Sequence, residues 1–215
     1  MRPSPILIRT LVAAALFTFG GTAFPQSELL TFDDLGDGPI LNNYGEVQWD
    51  QFFSYNTIVG GGLFGLNGSN NGMVSAPKVA YNQGGVPASI SGGPFNLISG
   101  YLMGVWNDGL QVEVQGFVGA TLTYDKTYTV GTQGSTLINF GYLGVDKVEF
   151  ISSGGVPHGF PQGDGFQFGM DDLEITIVPE PSIFALVGLA VTCLSLRRGL
   201  NIDRLAANTV IRRAA

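Results

Sequence analysis

Across 215 residues this chain has one cysteine and one histidine, and residues 27–178 hold three cations. Each shortage removes a class of function. Cys193 lies in an apolar stretch near the C-terminus, so the body has no disulfide and no thiol to use chemically. Its stability must come from packing, which a body of about 150 residues can supply by burying enough apolar surface. The lone His158 cannot furnish a His-rich metal site, and a Ser-His-Asp triad would have to be built on it. It sits in the proline- and glycine-rich stretch 154–165. Neither Ser152 nor Ser153 lies in a Gly-x-Ser-x-Gly elbow, so it reads as a solvated loop histidine. Lys78, Lys126 and Lys147 face fifteen acids in the body, a formal charge of −12. Phosphate binding needs a basic footprint, so nucleic acid is a poor partner. Calcium or an uncharged sugar polymer is electrostatically easier.

The body also lacks long runs of good helix formers, and glycine is frequent in it. What it has instead is period-two alternation. Gln111-Val112-Glu113-Val114-Gln115 places both valines on one face of a half-buried strand. Threonine takes the outward positions in 121–124 and 127–130, where a β-branched residue suits a pleated surface. Further strands are expected at 29–32, 47–53, 78–81, 95–103, 136–140, 147–151 and 166–177. The dipeptides Asn67-Gly68, Asn71-Gly72, Asp108-Gly109, Gly154-Gly155 and Asp164-Gly165 supply turn chemistry between them. Short strands at even spacing imply a sandwich or barrel. Residues 60–62 and 67–72 are expected to be loops.

The two ends differ from the body. Residues 183–196 are fourteen in a row without a charge, preceded by Pro179-Glu180-Pro181 and closed by Arg197-Arg198. A helix that crosses a bilayer takes about 20 residues. The run therefore spans only with help from Val178, Leu200 and snorkelling arginines; the alternative is a buried core helix. In the spanning case Arg197 and Arg198 stay cytoplasmic and everything before Pro179 lies outside. At the other end, Arg2 and Arg9, the apolar residues 11–19 and Gly21-Thr22-Ala23 form a secretory leader cut after Ala23. The expected organisation is a signal peptide over 1–23, a β-sandwich over 27–178, a sorting signal with a short transmembrane helix over 179–198, and a basic cytoplasmic tail over 199–215.

The order of proline pair, apolar helix and arginines resembles the PEP-CTERM sorting signal. That resemblance implies an exosortase-type sorting enzyme as a partner and a destination in the cell envelope or extracellular matrix. The family's signal usually stops soon after its basic cluster, whereas here the chain continues with Arg204, Arg212 and Arg213. The body in turn resembles the jelly-roll domains of galactose- and carbohydrate-binding modules. Its carriers are Leu30-Thr31-Phe32-Asp33-Asp34, Tyr44-Gly45 with Trp49 and Phe52, the strand around Val112 to Gly116, residues 144–150, and Met170-Asp171-Asp172-Leu173-Glu174-Ile175. The resemblance implies an all-β, jelly-roll-like antiparallel sandwich whose first and last strands pair.

Such a pairing would bring Asp33 and Asp34 near Asp171 and Asp172. Carboxylates held together repel unless a hard cation neutralises them, and calcium takes six to eight oxygens, so a structural calcium is expected there. The alternative is that these acids end strands in solvent. No EF-hand is involved, because Leu35 occupies a position that needs oxygen. Trp49, Tyr81 and Trp106 are the candidates for stacking on sugar rings. Trp49 shares parity with Val47 and so favours the core, whereas Trp106 precedes the Asn107-Asp108-Gly109 turn and favours exposure. The function expected is exopolysaccharide binding or adhesion by an exported, non-catalytic protein. Two rivals are a purely structural surface protein and a glycan hydrolase, for which no pair of carboxylates stands out in the sequence.

Overall fold

The computed structural model describes residues 26–58, 65–161 and 163–179, all within one compact unit. The leader over 1–23, residues 60–62, Glu180, Pro181, the apolar run, Arg197, Arg198 and the basic tail lie outside the described residues. Among the described residues no helix is long and apolar enough to cross a membrane.

The body is all-β and antiparallel. In chain order the strands are β1 (Gln26–Leu30), β2 (Gly38–Pro39), β3 (Gln48–Asp50), β4 (Phe52–Asn56), β5 (Lys78–Asn82), β6 (Ala88–Gly104), β7 (Asn107–Asp108), β8 (Leu110–Val118), β9 (Thr121–Val130), β10 (Thr136–Ser153), β11 (Val156–Pro157) and β12 (Phe168–Ile177). One sheet runs β2-β4-β5-β12-β6-β10-β8-β9, with β1 added beside β12 and β3 beside β6; β7 and β11 form a separate ribbon. The first and last strands pair as the family resemblance implied, Leu30 opposite Leu173 and Gln26 opposite Ile177. Alternation does its expected work in β8, where Leu110, Val112 and Val114 are buried and the residues between them face outward.

Two long strands turn this sheet into two layers. Phe140 and Phe150 both belong to β10, yet their ring centroids are 6.3 Å apart. Ten residues of straight strand would separate them by about 33 Å. The strand therefore folds back on itself, and its pairing with β6 shifts register three times between Asn139 and Lys147. Gly141 and Gly144 make the bend at φ 65° and 62°, with no neighbour within 4 Å of where a Cβ would stand. Glycine is needed there for backbone conformation rather than for room. Between the layers Phe150 stacks on Phe168 at 5.7 Å, and Phe52 meets both rings edge-on. Trp49 joins them through Phe52 at 5.3 Å.

Four expectations from the sequence change. Residues 47–53 are not one strand: Gln51 at φ 59° breaks them, so that β3 pairs with β6 while β4 pairs with β5. Residues 121–130 are one strand instead of two, and so are 136–153, because glycine bends β10 without ending its ladder. The polar stretch read as a loop holds a short helix, α1 (Gly68–Gly72). Asn67 caps it, accepting from the Ser69 N–H at 2.9 Å, while Asn70 Oδ1 accepts from the Asn67 N–H.

Candidate functional site

On β4 and β5 the core face carries Phe52, Ser54, Ala80 and Asn82, so alternation sends Phe53, Tyr55 and Tyr81 to the opposite face. Tyr55 and Tyr81 are diagonal neighbours in that ladder and meet edge-on with centroids 5.2 Å apart; Phe53 lies 6.1 Å from Tyr81. The Tyr55 hydroxyl donates to Asn67 Oδ1 at 3.2 Å, and the Tyr81 hydroxyl donates to Gln83 Oε1 at 3.1 Å. Burial pushes both phenols up from their ordinary value, so at neutral pH they stay protonated and able to donate.

Trp106 arrives from the other side. Just before it, the Gly68 N–H donates to Val105 O at 2.8 Å and the Val105 N–H donates to Gln167 O at 3.0 Å, which ties α1, the end of β6 and the start of β12 together. Gly163 lies against the indole so closely that a Cβ there would sit 2.7 Å from Cζ2 and Cη2. Phe160 approaches the same ring edge-on at 6.3 Å. The result is a cleft of 380 Å³ lined by Tyr55, Tyr81, Trp106 and the amide side chains of Asn67, Gln83 and Gln167. Asp164 stands exposed at its edge.

Two of the three aromatic residues singled out from the sequence thus converge, and the third does not. Trp49 is 7 % exposed, donates its indole N–H to Tyr44 O at 2.8 Å and packs edge-on against Phe32 and Phe52. It belongs to the core and offers no face to a sugar. Tyr55, Asn67, Gln83 and Gln167 were missed. For Tyr55 a signal existed, since it shares parity with Phe53 opposite an already chosen Tyr81; for the amides there was none.

The four aspartates do not converge on one point. Asp33 accepts from the Lys78 N–H and Asp34 from the Tyr44 hydroxyl, while Asp171 is fully buried and accepts from Val74 and Ser75. Asp172 sits at φ 47°, and its Oδ1 is buried without a partner. Among the described residues no three acidic, histidine or cysteine side chains are placed to hold a metal ion. Strand pairing brings the segments together, with Asp33, Asp34 and Asp171 each accepting from a different backbone or side-chain donor.

His158 is an exposed loop histidine, as the sequence suggests, but it has partners. Its Nδ1 lies 2.7 Å from Asp108 Oδ2, its backbone N–H donates to Trp106 O, and Phe160 packs on its ring at 4.5 Å. Asp108 Oδ1 accepts from both the N–H and the hydroxyl of Thr132. The contact with His158, with help from Thr132, holds the Asp108 carboxyl down at about 2. A carboxylate lowered in the folded state adds stability above its unfolded pKa of about 3.8 and loses it as pH falls towards 2. Asp108→Asn is expected to melt a few degrees below the wild type at pH 7, with the gap closing between pH 4 and 2 in parallel melts. An equal gap at both ends of that range would contradict the pairing.

No family model matches the chain, and no curated protein matches it. Among solved structures it is similar to TmCBM61, determined in complex with β-1,4-galactotriose, at 7% identity over 60% of this chain and 86% of that chain, with a TM-score of 0.32. It is similar to the CBM22-1–CBM22-2 tandem of Paenibacillus barcinonensis Xyn10C at 12% identity over 76% of this chain and 49% of that one, TM-score 0.39. The third likeness is to CBM51 from Clostridium perfringens GH95 in complex with methyl-galactose, at 13% identity over 70% of this chain and 99% of that one, TM-score 0.32. Likenesses at these scores carry no weight for what this chain binds.

Proposed function

We propose that the body is a non-catalytic, jelly-roll-like glycan-binding module of an exported protein, and that a sugar occupies the cleft between Tyr55, Tyr81 and Trp106. One observation carries this reading: Tyr81 on β5 and Trp106 in the bend between β6 and β7 reach the same cleft together with three amide side chains. Aromatic rings offer apolar surface to the faces of sugar rings, while amides donate to and accept from hydroxyls. Hydrolysis of a glycosidic bond ordinarily takes two carboxyl groups flanking it, and this cleft is lined by one, Asp164. Export, sorting by an exosortase-type enzyme and attachment at the cell envelope or matrix are supported by the sequence signals at the two ends.

The test is affinity electrophoresis of the purified body through gels containing the producing organism's own exopolysaccharide. Trp106→Ala and Tyr81→Ala should each weaken retention at least tenfold, or about 1.4 kcal/mol. Melting temperature, measured in parallel, separates lost contact from lost folding. Retention that survives both substitutions in folded protein would remove the cleft as the binding site, and a body with no retention at all would favour a purely structural role.

A further inference from the structure

A second hollow, of 410 Å³, adjoins the first at Gly163 and Asp164. It is lined by Pro157, Phe160 and Pro161, and it shares Gly163 and Asp164 with the first. Trp106 and Phe160, one ring from each hollow, meet edge-on across that boundary. A chain of sugars lying over Gly163 would therefore touch an aromatic ring on each side and pass Asp164 at the midpoint.

Among the described residues Asp164 is the one charged side chain in the lining of either hollow, and none of its described neighbours pairs with it. The body's cations are committed elsewhere: Lys78 to Asp37, Lys147 to Glu149, and Lys126 over the Tyr128 ring. Gln167 adds a buried Oε1 that has no partner within the protein, and Gln83 Oε1 takes the Tyr81 hydroxyl. The lining holds amide donors and acceptors and, among the described residues, no cation. An ionised carboxylate accepts and never donates, so it favours hydroxyls and ammonium groups and repels another carboxylate.

We infer that the two hollows form one groove that selects sugar chains by charge, taking neutral and amino-bearing sugars, preferring the latter, and rejecting uronates, with Asp164 as the specificity-determining residue. This rests on the glycan-binding reading above. Because Asp164 is solvent-exposed, the discrimination it provides is that of a surface ion pair, about threefold to fivefold in affinity. Salt should shrink it.

The test titrates the body with three tetramers, of glucosamine, of N-acetylglucosamine and of galacturonate, at low and high salt. Glucosamine tetramer should bind about threefold to fivefold tighter than its acetylated counterpart, and galacturonate tetramer weakest. Asp164→Asn should abolish the preference for glucosamine over its acetylated counterpart. Asp125→Asn, which removes the same charge from β9, should preserve the preference, separating a local contact from general attraction to an acidic body. Equal affinities across the three tetramers, or a preference untouched by Asp164→Asn, would overturn the charge selection. Binding of none of them, with retention on the native polymer intact, would overturn it too while leaving the glycan-binding reading standing.

Discussion

Asp171→Ala is expected to lower the melting temperature of the body by about 10 °C. The carboxylate is fully buried and holds four donors: the N–H groups of Val74 and Ser75 on Oδ2, and the Ser75 hydroxyl and Asp172 N–H on Oδ1. Removing it strands donors that water cannot easily reach, at about 1–3 kcal/mol for each group left unsatisfied. Even one or two such losses amount to about 3 kcal/mol, and a domain of this size loses about 2–4 °C per kcal/mol. Differential scanning calorimetry measures the change directly. A drop of under 3 °C would mean that this carboxylate does not hold the loop at 74–75.

The same residue gives the protein a pH signature. Burial pushes the Asp171 carboxyl up to about 6, against the pull of its donors from Val74 and Ser75. The folded state then holds its proton more tightly than the unfolded chain, whose pKa is about 3.8–3.9. Stability from this group must fall as pH rises from about 4 to 6 and stay level above that, by about 3 kcal/mol for two pH units. Asp37 and Asp108 are both lowered, by contact with Lys78 and His158 respectively, so their effects run the other way and lie below pH 4. Asp171→Asn should therefore flatten the melting curve between pH 4 and 6. A slope that persists in the variant would assign it to some other group.

Gly68→Ala is the second large effect, and it acts through space rather than torsion. A Cβ at this position would stand 1.9 Å from the carbonyl oxygen of Gly104 and 3.0 Å from Thr132 Cα. Both neighbours are backbone, so no rotamer change relieves the clash, and α1 must move off β6. That movement breaks the Gly68 N–H bond to Val105 O and carries Asn67 with it out of the cleft. Overpacking of this kind costs about 1–3 kcal/mol and more where the backbone cannot yield. The variant should lose several degrees of melting temperature and its retention on polysaccharide together. Gly134→Ala is the control, since nothing lies within 4 Å of a Cβ there and its φ is not positive. Equal behaviour of the two variants would show that the close approach is unimportant.

Much of the architecture was legible because it depends on alternation. Val112 and Val114 declare their buried face by parity alone, and so do Val47 and Trp49, although the sequence also makes Trp49 a candidate for stacking on sugar. Residues that act through distant neighbours were not legible. Asn67-Gly68 has the look of a hairpin turn, yet five residues of helix form there because Asn67 caps them and Gly68 has no Cβ to strike the Gly104 carbonyl. Gly141 and Gly144 are two glycines among 32, and nothing in the chain marks them as the fold line of β10. Asp171 shows a charge in sequence but not its burial, nor that its carboxylate ties down the loop at 74–75. Tyr81 and Trp106 stand out in sequence only as aromatics able to stack on sugar rings; their convergence follows from the pairing of β12 with β5 and β6, which no local pattern encodes.

The direction of β12 has a mechanical corollary. The strand starts beside Gln167 in the cleft and runs ten residues to Ile177, where it lies opposite Gln26. At about 3.3 Å per residue those points are separated by about 30 Å. Gln26 and Ile177 thus lie side by side at the end of β12 remote from the aromatic cleft, so the described body starts and finishes at one place and binds at another.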